Sequence, residues 1–170
     1  MNTVYSVVTS PIGPLTIVAV EGSLYGIHLP GPHDPAAAAG QERPGEPVLR
    51  ESARQLEEYF RGERRQFDLP LHLEGTPFQV AAWNALLAIP FGQTRSYGEQ
   101  ARALGRPTAT RAVGAANGRN RFTIVVPCHR VVGSDGRLTG YAGGLPVKQW
   151  LLQHEARVLG SSLAGPFPIS

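Results

Sequence analysis

Ile124-Val125-Val126-Pro127-Cys128-His129-Arg130-Val131-Val132-Gly133 is the stretch around which the whole chain reads. It holds the one cysteine of the protein. The apolar runs Thr123 to Val126 and Val131-Val132 are short and β-branched, bounded by Pro and Gly, and so predict two buried strands. Pro127 cannot donate a ladder hydrogen bond, which ends the first strand there and puts Cys128-His129 at a strand end. A lone cysteine is often just a small buried hydrophobe. A packing cysteine, however, has no use for His and Arg as its next two residues. Those neighbours favour the thiolate, the reactive form of sulfur.

Upstream, Thr76-Pro77-Phe78-Gln79 reads as a capping box with Pro at the first helical position. Phe78, Ala82, Ala85, Leu86 and Ile89 form an apolar stripe on the helix it opens, and Pro90 and Gly92 close it. Ser96-Tyr97-Gly98-Glu99 is a second capping box, opening a helix from Tyr97 to Leu104. After the turn Gly105-Arg106-Pro107, Thr108 is placed to cap a third helix, Ala109 to Ala116. Two short helices joined by a Gly-containing turn suggest helix-turn-helix. Apart from Arg111, the second carries only small or medium side chains. Such a face fits close approach to another helix or to a nucleic-acid groove, and Arg111 tips the choice to nucleic acid.

Downstream, Gly140-Tyr141-Ala142-Gly143-Gly144 reads as a loop whose glycines admit close backbone approach to a ligand. Pro146 to about Ala156 predicts a last helix. Glu155 near its C-terminal end opposes the helix dipole, a hint of another duty. In the N-terminal part, Val4–Val8, Leu15–Val20 and Leu24–Leu29 predict an antiparallel meander with a tight turn at Glu21-Gly22-Ser23. Residues 30–47 read as an exposed Pro/Gly/Ala-rich loop, Val48–Arg61 as a helix, and Gln66–Leu71 as a strand. His28 reads as a strand histidine facing water, and His33 has no partner that suggests chemistry.

With 42% hydrophobic and 17% charged residues the chain is globular rather than disordered. No run reaches the ~18 apolar residues of a membrane span, and the N-terminus lacks a basic, signal-like start. The expectation is a protein that stays in the cytoplasm, nucleoid-associated in a bacterium. One cysteine excludes an intramolecular disulfide and a Cys-rich zinc cluster, so neither metal nor cofactor is expected. Residues 1–75 carry six basic and ten acidic residues, net −4, whereas residues 76–130 carry seven arginines and one acid, net +6. Arginine suits forked phosphate contacts, so a polyanionic partner is expected.

These residues together resemble the O6-alkylguanine-DNA alkyltransferases. Pro127-Cys128-His129-Arg130-Val131, then Gly140-Tyr141-x-Gly143-Gly144, Lys148 and Leu151-Leu152-x-His154-Glu155 carry the resemblance. So do Gly75–Gln79, Ile89-Pro90-x-Gly92, Tyr97, Arg111-Ala112-Val113-Gly114 and Asn120 upstream. The resemblance implies an α+β fold: a ribonuclease-H-like α/β support domain over residues 1–74, then a mostly helical winged helix-turn-helix domain over 75–160, with 161–170 a tail. It implies Cys128 as alkyl acceptor, His129 as base through a water, Glu155 as its orienting acid, and Asn120 as brace of the active-site turn. Tyr97 is similar to the tyrosine that contacts the flipped base, and Arg111 to the arginine that replaces it in the stack. Thr110, Ala112, Gly114, Arg119 and Arg130 are expected on the DNA face. Val131, Tyr141, Ala142, Gly143 and Gly144 are expected in the base pocket. Two positions depart from the pattern: Arg121 stands where a proline is frequent, and Ala142 where a serine is frequent, which removes any hydroxyl contact.

The expected partner is double-stranded DNA carrying alkylated guanine, with O4-alkylthymine as a further candidate, met by a monomer. The thiolate displaces guanine from a saturated carbon. The S-alkylcysteine formed has no carbonyl for water to attack, so each molecule acts once. The rivals are a Cys-His-Glu hydrolase, which would turn over without DNA, and a DNA-binding regulator, which would leave Cys128 unconsumed. An alkyltransferase-like binder would lack the cysteine.

Overall fold

A computed structural model describes residues 2–30 and 40–160. The expectations for His33, for most of the 30–47 loop and for the tail 161–170 lie outside the described residues. The chain divides into two compact units: the N-terminal part up to Leu73 together with Arg121–Thr123, and Glu74–Asn120 together with the chain from Ile124 onward. No helix among the described residues is long and apolar enough to cross a membrane.

The first unit is a four-stranded sheet covered by a helix. Strands β1 (Thr3–Val8), β2 (Leu15–Val20) and β3 (Ser23–His28) form the antiparallel meander, and β4 (Gln41–Glu42) adds in parallel to β1. All six residues of the central β2 are buried. The β2–β3 turn has Glu21 and Gly22 both at positive φ, 50° and 81°, the backbone that a two-residue hairpin requires. Helix α1 (Pro47–Phe60) packs against the sheet through Leu49, Leu56 and Tyr59, each almost wholly buried. The strand expected at Gln66–Leu71 shrinks to one bridge, Leu24 to Leu71. There Leu24 N donates to Pro70 O and His72 N to Leu24 O, while Pro70 itself has no N–H to extend the ladder. Residues 121–123 add a second bridge on β3, between Ile27 and Phe122.

The second unit is mostly helical. Helix α2 (Pro77–Leu87) opens with the Thr76 capping box, and α3 (Tyr97–Ala103) with the Ser96 box; both reciprocal bonds form in each. Helix α4 spans Thr110–Gly118. It starts one residue later than expected and lacks a side-chain cap, because Ala109 rather than Thr108 stands at the cap position. It also runs two residues beyond the expected end at Ala116, through Asn117 and Gly118. The Asn117 carboxamide is paired with that of Gln100 on α3, each donating to the other at 2.9 Å, which holds the last turn against its neighbour. Trp83 Nε1 on α2 donates to Ala116 O at 2.8 Å. Val113, Ala116 and Asn117 face inward, while Arg111, Ala112, Ala115 and Arg119 are exposed. The small side chains therefore serve both close helix packing and an open outer face.

The expected strand Thr123–Val126 is absent. Ile124 lies at φ 73°, in the left-handed region that β-branched residues avoid, and the segment forms turns. An inverse γ-turn at Pro127 (φ −82°, ψ 63°), with Cys128 N donating to Val126 O at 2.8 Å, leads into a 3-10 turn, Cys128–Arg130. Strand β6 (Val131–Val132) follows and pairs in parallel with β5 (Arg95–Ser96). Helix α5 (Leu145–Val158) closes the described chain.

Candidate active site and nucleic-acid interface

The β5–β6 ladder explains how distant residues converge. Arg95 pairs with Val131 and Ser96 with Val132. Tyr97 follows β5 directly and Cys128-His129-Arg130 precede β6 directly, so this short register sets the head of α3 beside the reactive turn.

Cys128 is half-buried and lines a cavity of about 450 Å³. Tyr97, Thr110, Arg111, Gly114, Tyr141 and Ala142 line it too, together with Asn117, Gly118, Thr139 and Gly140. Asn120 Nδ2 donates to Cys128 Sγ at 3.2 Å and to Val126 O at 2.8 Å, tying the sulfur to the turn that presents it. Burial pushes the thiol above its ordinary value, against the Asn120 hydrogen bond and the Lys148 charge, which favour the thiolate. Burial likewise raises the Tyr141 phenol, and the Cys128 and Glu155 charges add to it.

Behind the sulfur stands a buried acid–base pair. His129 and Glu155 are both 0% exposed, with Nε2 and Oε2 2.7 Å apart. Burial pushes the imidazole below its ordinary value despite Glu155, and Arg130 and Lys148 add to the effect. A neutral ring beside a carboxylate donates from Nε2, which leaves the Nδ1 lone pair as the basic position. Nδ1 is buried and has no hydrogen-bond partner among the described residues.

Glu155 is held on every side. It accepts from Arg130 Nε at 2.9 Å, from the second Arg130 terminal nitrogen at 3.1 Å and from Gly92 N at 2.9 Å, as well as from His129. Burial alone would raise its carboxyl, but His129 and Arg130 together hold it well below the usual carboxylate range. This arrangement corrects one expectation. Arg130 does not belong to a DNA face: it is 5% exposed, and its remaining terminal nitrogen donates to Ile89 O at 2.7 Å. A guanidinium committed to a buried carboxylate and a carbonyl cannot also fork a phosphate.

The other expected residues divide by place. Thr110 and Arg111 are exposed and reach the cavity, whereas Ala112 and Arg119 are exposed on α4 and beyond its end without lining it. Val131 is fully buried in β6 and does not line the cavity; of the glycine loop, Gly140, Tyr141 and Ala142 do. Gly144, at φ 94°, caps α5. Sequence reasoning gave no role to Lys148, whose side chain is wholly buried, or to Thr139 and the Gln100–Asn117 pair. The only advance signal was the place of Lys148 in the quoted pattern.

Comparison with known proteins agrees with this geometry. Residues 3–73 match the family model of the 6-O-methylguanine DNA methyltransferase ribonuclease-like domain, and residues 77–157 that of its DNA binding domain. The chain belongs to the methylated-DNA–protein-cysteine methyltransferase family. A member from Methanosarcina acetivorans is 47% identical over 151 residues, covering 89% of this chain and 97% of the relative. One from Mycobacterium tuberculosis is 47% identical over 152 residues, covering 89% and 91%. A crystal structure of the M. tuberculosis protein in complex with DNA superposes with a TM-score of 0.85 at 46% identity, over 91% of this chain and 94% of that one. Family membership makes the chain a DNA-repair methyltransferase whose acceptor is a protein cysteine, and DNA its partner.

Proposed function

We propose that this protein reverses O6-alkylation of guanine in duplex DNA by moving the alkyl group irreversibly onto Cys128. The observation that carries the reading is the cavity: it has a cysteine sulfur at its wall, a neutral imidazole–carboxylate pair behind it, and the exposed Arg111 of α4 at its rim. The target carbon lies within a base stack, so the nucleotide is flipped into the cavity and Arg111 fills the gap it leaves. His129 Nδ1 takes the thiol proton through a bridging water, while Glu155 holds the ring in the tautomer that leaves Nδ1 basic. The S–C bond forms as the C–O6 bond breaks, the electron pair passes to guanine, and the Tyr97 hydroxyl answers the charge developing there. The product is a thioether that water does not cleave, so each molecule acts once. On this reading the protein acts as a monomer, in the cytoplasm.

The test is mass spectrometry after mixing the protein with duplex carrying one O6-methylguanine. One methyl gained per molecule, on the peptide containing Cys128, is expected. Cys128→Ser should lose transfer while keeping its affinity for the methylated duplex. Release of free methanol with an unmodified protein, or methyl transfer by the Ser variant at the wild-type rate, would overturn the reading.

A further inference from the structure

Asn120, whose amide holds Cys128 Sγ, is itself placed by the last turn of α4. Its backbone N–H donates to Asn117 O at 3.2 Å, and Arg119 N donates to Ala116 O at 3.1 Å. That turn has little support of its own, because Asn117 and Gly118 are weak helix formers. Helix α4 has no side-chain cap at its start either. Support comes from its neighbours. Trp83 Nε1 on α2 donates to the same Ala116 O at 2.8 Å. The Gln100 carboxamide on α3 exchanges two hydrogen bonds with that of Asn117, both at 2.9 Å, and reaches Ala82 O on α2 at 3.3 Å. Gln100 is 3% exposed and Asn117 8%, so water does not compete for these bonds. Two apolar side chains would fill the same space without the cost of burying amides. What a reciprocated pair adds is a fixed mutual orientation, since only there are both amides satisfied.

We propose that Gln100 is a positioning residue for the reactive sulfur: by clamping Asn117 it fixes the exit of α4, and through that exit the Asn120 amide that holds Cys128. This rests on the reading of Cys128 as the alkyl acceptor. The route is short and continuous. Gln100 holds the Asn117 side chain, Asn117 O accepts from Asn120 N, and Asn120 Nδ2 donates to Sγ at 3.2 Å. Arg111 lies on the same helix at the cavity rim, so the clamp keeps the residue that meets the base stack and the amide that meets the sulfur in one fixed relation. Loosening the clamp lets the last turn fray and weakens a bond that favours the thiolate. The other groups around the sulfur are Lys148 on α5, Tyr141 of the glycine loop, and His129 on its own turn with Glu155 behind it. Changes at Gln100 leave all four in place, so a change in the titration of the thiol reports the Asn120 bond.

The experiment measures the rate at which iodoacetamide modifies Cys128 without DNA across a pH range, read by mass spectrometry. Single-turnover methyl transfer from saturating duplex with one O6-methylguanine is measured beside it. Wild-type transfer tests the function itself; the iodoacetamide profile needs no alkylated base and tests the clamp alone. Gln100→Leu should raise the midpoint of the thiol profile by about one pH unit. Transfer at neutral pH should then slow about tenfold as the thiolate fraction falls, while affinity for unmodified duplex changes less than about threefold. Gln100→Leu with Asn117→Leu leaves no amide unpaired and should raise the midpoint equally. The midpoint, unlike the rate, does not depend on access to the cavity that Asn117 lines. Asn120→Ala should raise it too, and adding Gln100→Leu should raise it no further, because Gln100 acts through Asn120. An unmoved midpoint in Gln100→Leu or in the Leu pair, or a further rise on the Asn120→Ala background, would overturn the proposal. Should the variants fail to fold, hydrogen exchange of the wild-type protein decides: the Asn120 N–H should exchange as slowly as the amides inside α4, and exchange as fast as in an exposed turn would overturn the clamp.

Discussion

Glu155 sits where a helix dipole disfavours an acid, and the structure shows what offsets that: a guanidinium, an imidazole and a backbone N–H all converge on it. Because Arg130 already balances the carboxylate, a proton on His129 gains less from Glu155 than burial takes away. The folded imidazole value is therefore depressed, and the linkage has a definite sign. The unfolded chain protonates this histidine below about pH 6.5 while the folded protein keeps it neutral, so stability is fully present above that pH and drains away as pH falls. Urea unfolding should accordingly show stability falling from about pH 7 to about pH 5, and His129→Gln should flatten that slope. A variant with the unaltered slope would mean that His129 is not held neutral. The Glu155 carboxyl, held below its ordinary value, adds a second loss that begins as pH falls through the ordinary carboxylate range, where the unfolded chain takes up its proton, and continues below it. At this scale the sequence was uneven as a guide. A cysteine flanked by His and Arg announces chemistry, but a run of charges does not say which guanidinium turns inward. Arg130 reads like its six companions and is the one tied to the core carboxylate; Lys148 entered only by its place in the quoted pattern, and nothing in that pattern says that it is wholly buried.

Among the elements, the helix starts were legible because a capping box is a local matter: Thr76 with Gln79 and Ser96 with Glu99 each satisfy two orphan donors within four residues. The turn that carries Cys128 was not legible. Four consecutive β-branched residues favour a strand, yet Ile124 is held at positive φ, and the Asn120 bond to Val126 O braces the turn from outside the segment. Tertiary contacts override local preference here, as they do in the last turn of α4. Helix α4 also carries a prediction that separates two roles for arginine. Arg111 reaches the cavity rim, so Arg111→Ala should penalise the flipped state and slow transfer from duplex at saturation far more than reaction with free O6-alkylguanine base, which needs no flipping. Arg102 is exposed on α3, so Arg102→Ala should lower duplex affinity modestly and leave the saturated rate intact. Equal slowing of both reactions by Arg111→Ala, or none, would remove Arg111 from the stacking role.

For the molecule as a whole, charge is segregated along the chain, net −4 over residues 1–75 against net +6 over residues 76–130. The structure refines that contrast. Arg130 is neutralised internally, whereas Arg102, Arg106, Arg111 and Arg119 are exposed within the second unit. Exposed cations displace condensed counterions from DNA, and each neutralised phosphate contributes about −0.9 to the slope of log affinity against log salt. Binding to unmodified duplex should therefore weaken steeply with ionic strength. Arg119→Ala should make that slope shallower by about 1 without altering preference among sequences, because a phosphate contact positions and does not specify. Arg50, exposed on α1 in the acidic unit, supplies the control: Arg50→Ala should leave the slope where it was. Affinity measured by fluorescence anisotropy across several salt concentrations decides the matter. A flat wild-type profile, or a loss of slope in Arg50→Ala equal to that in Arg119→Ala, would mean that the arginines of the second unit do not form the face that meets the phosphates.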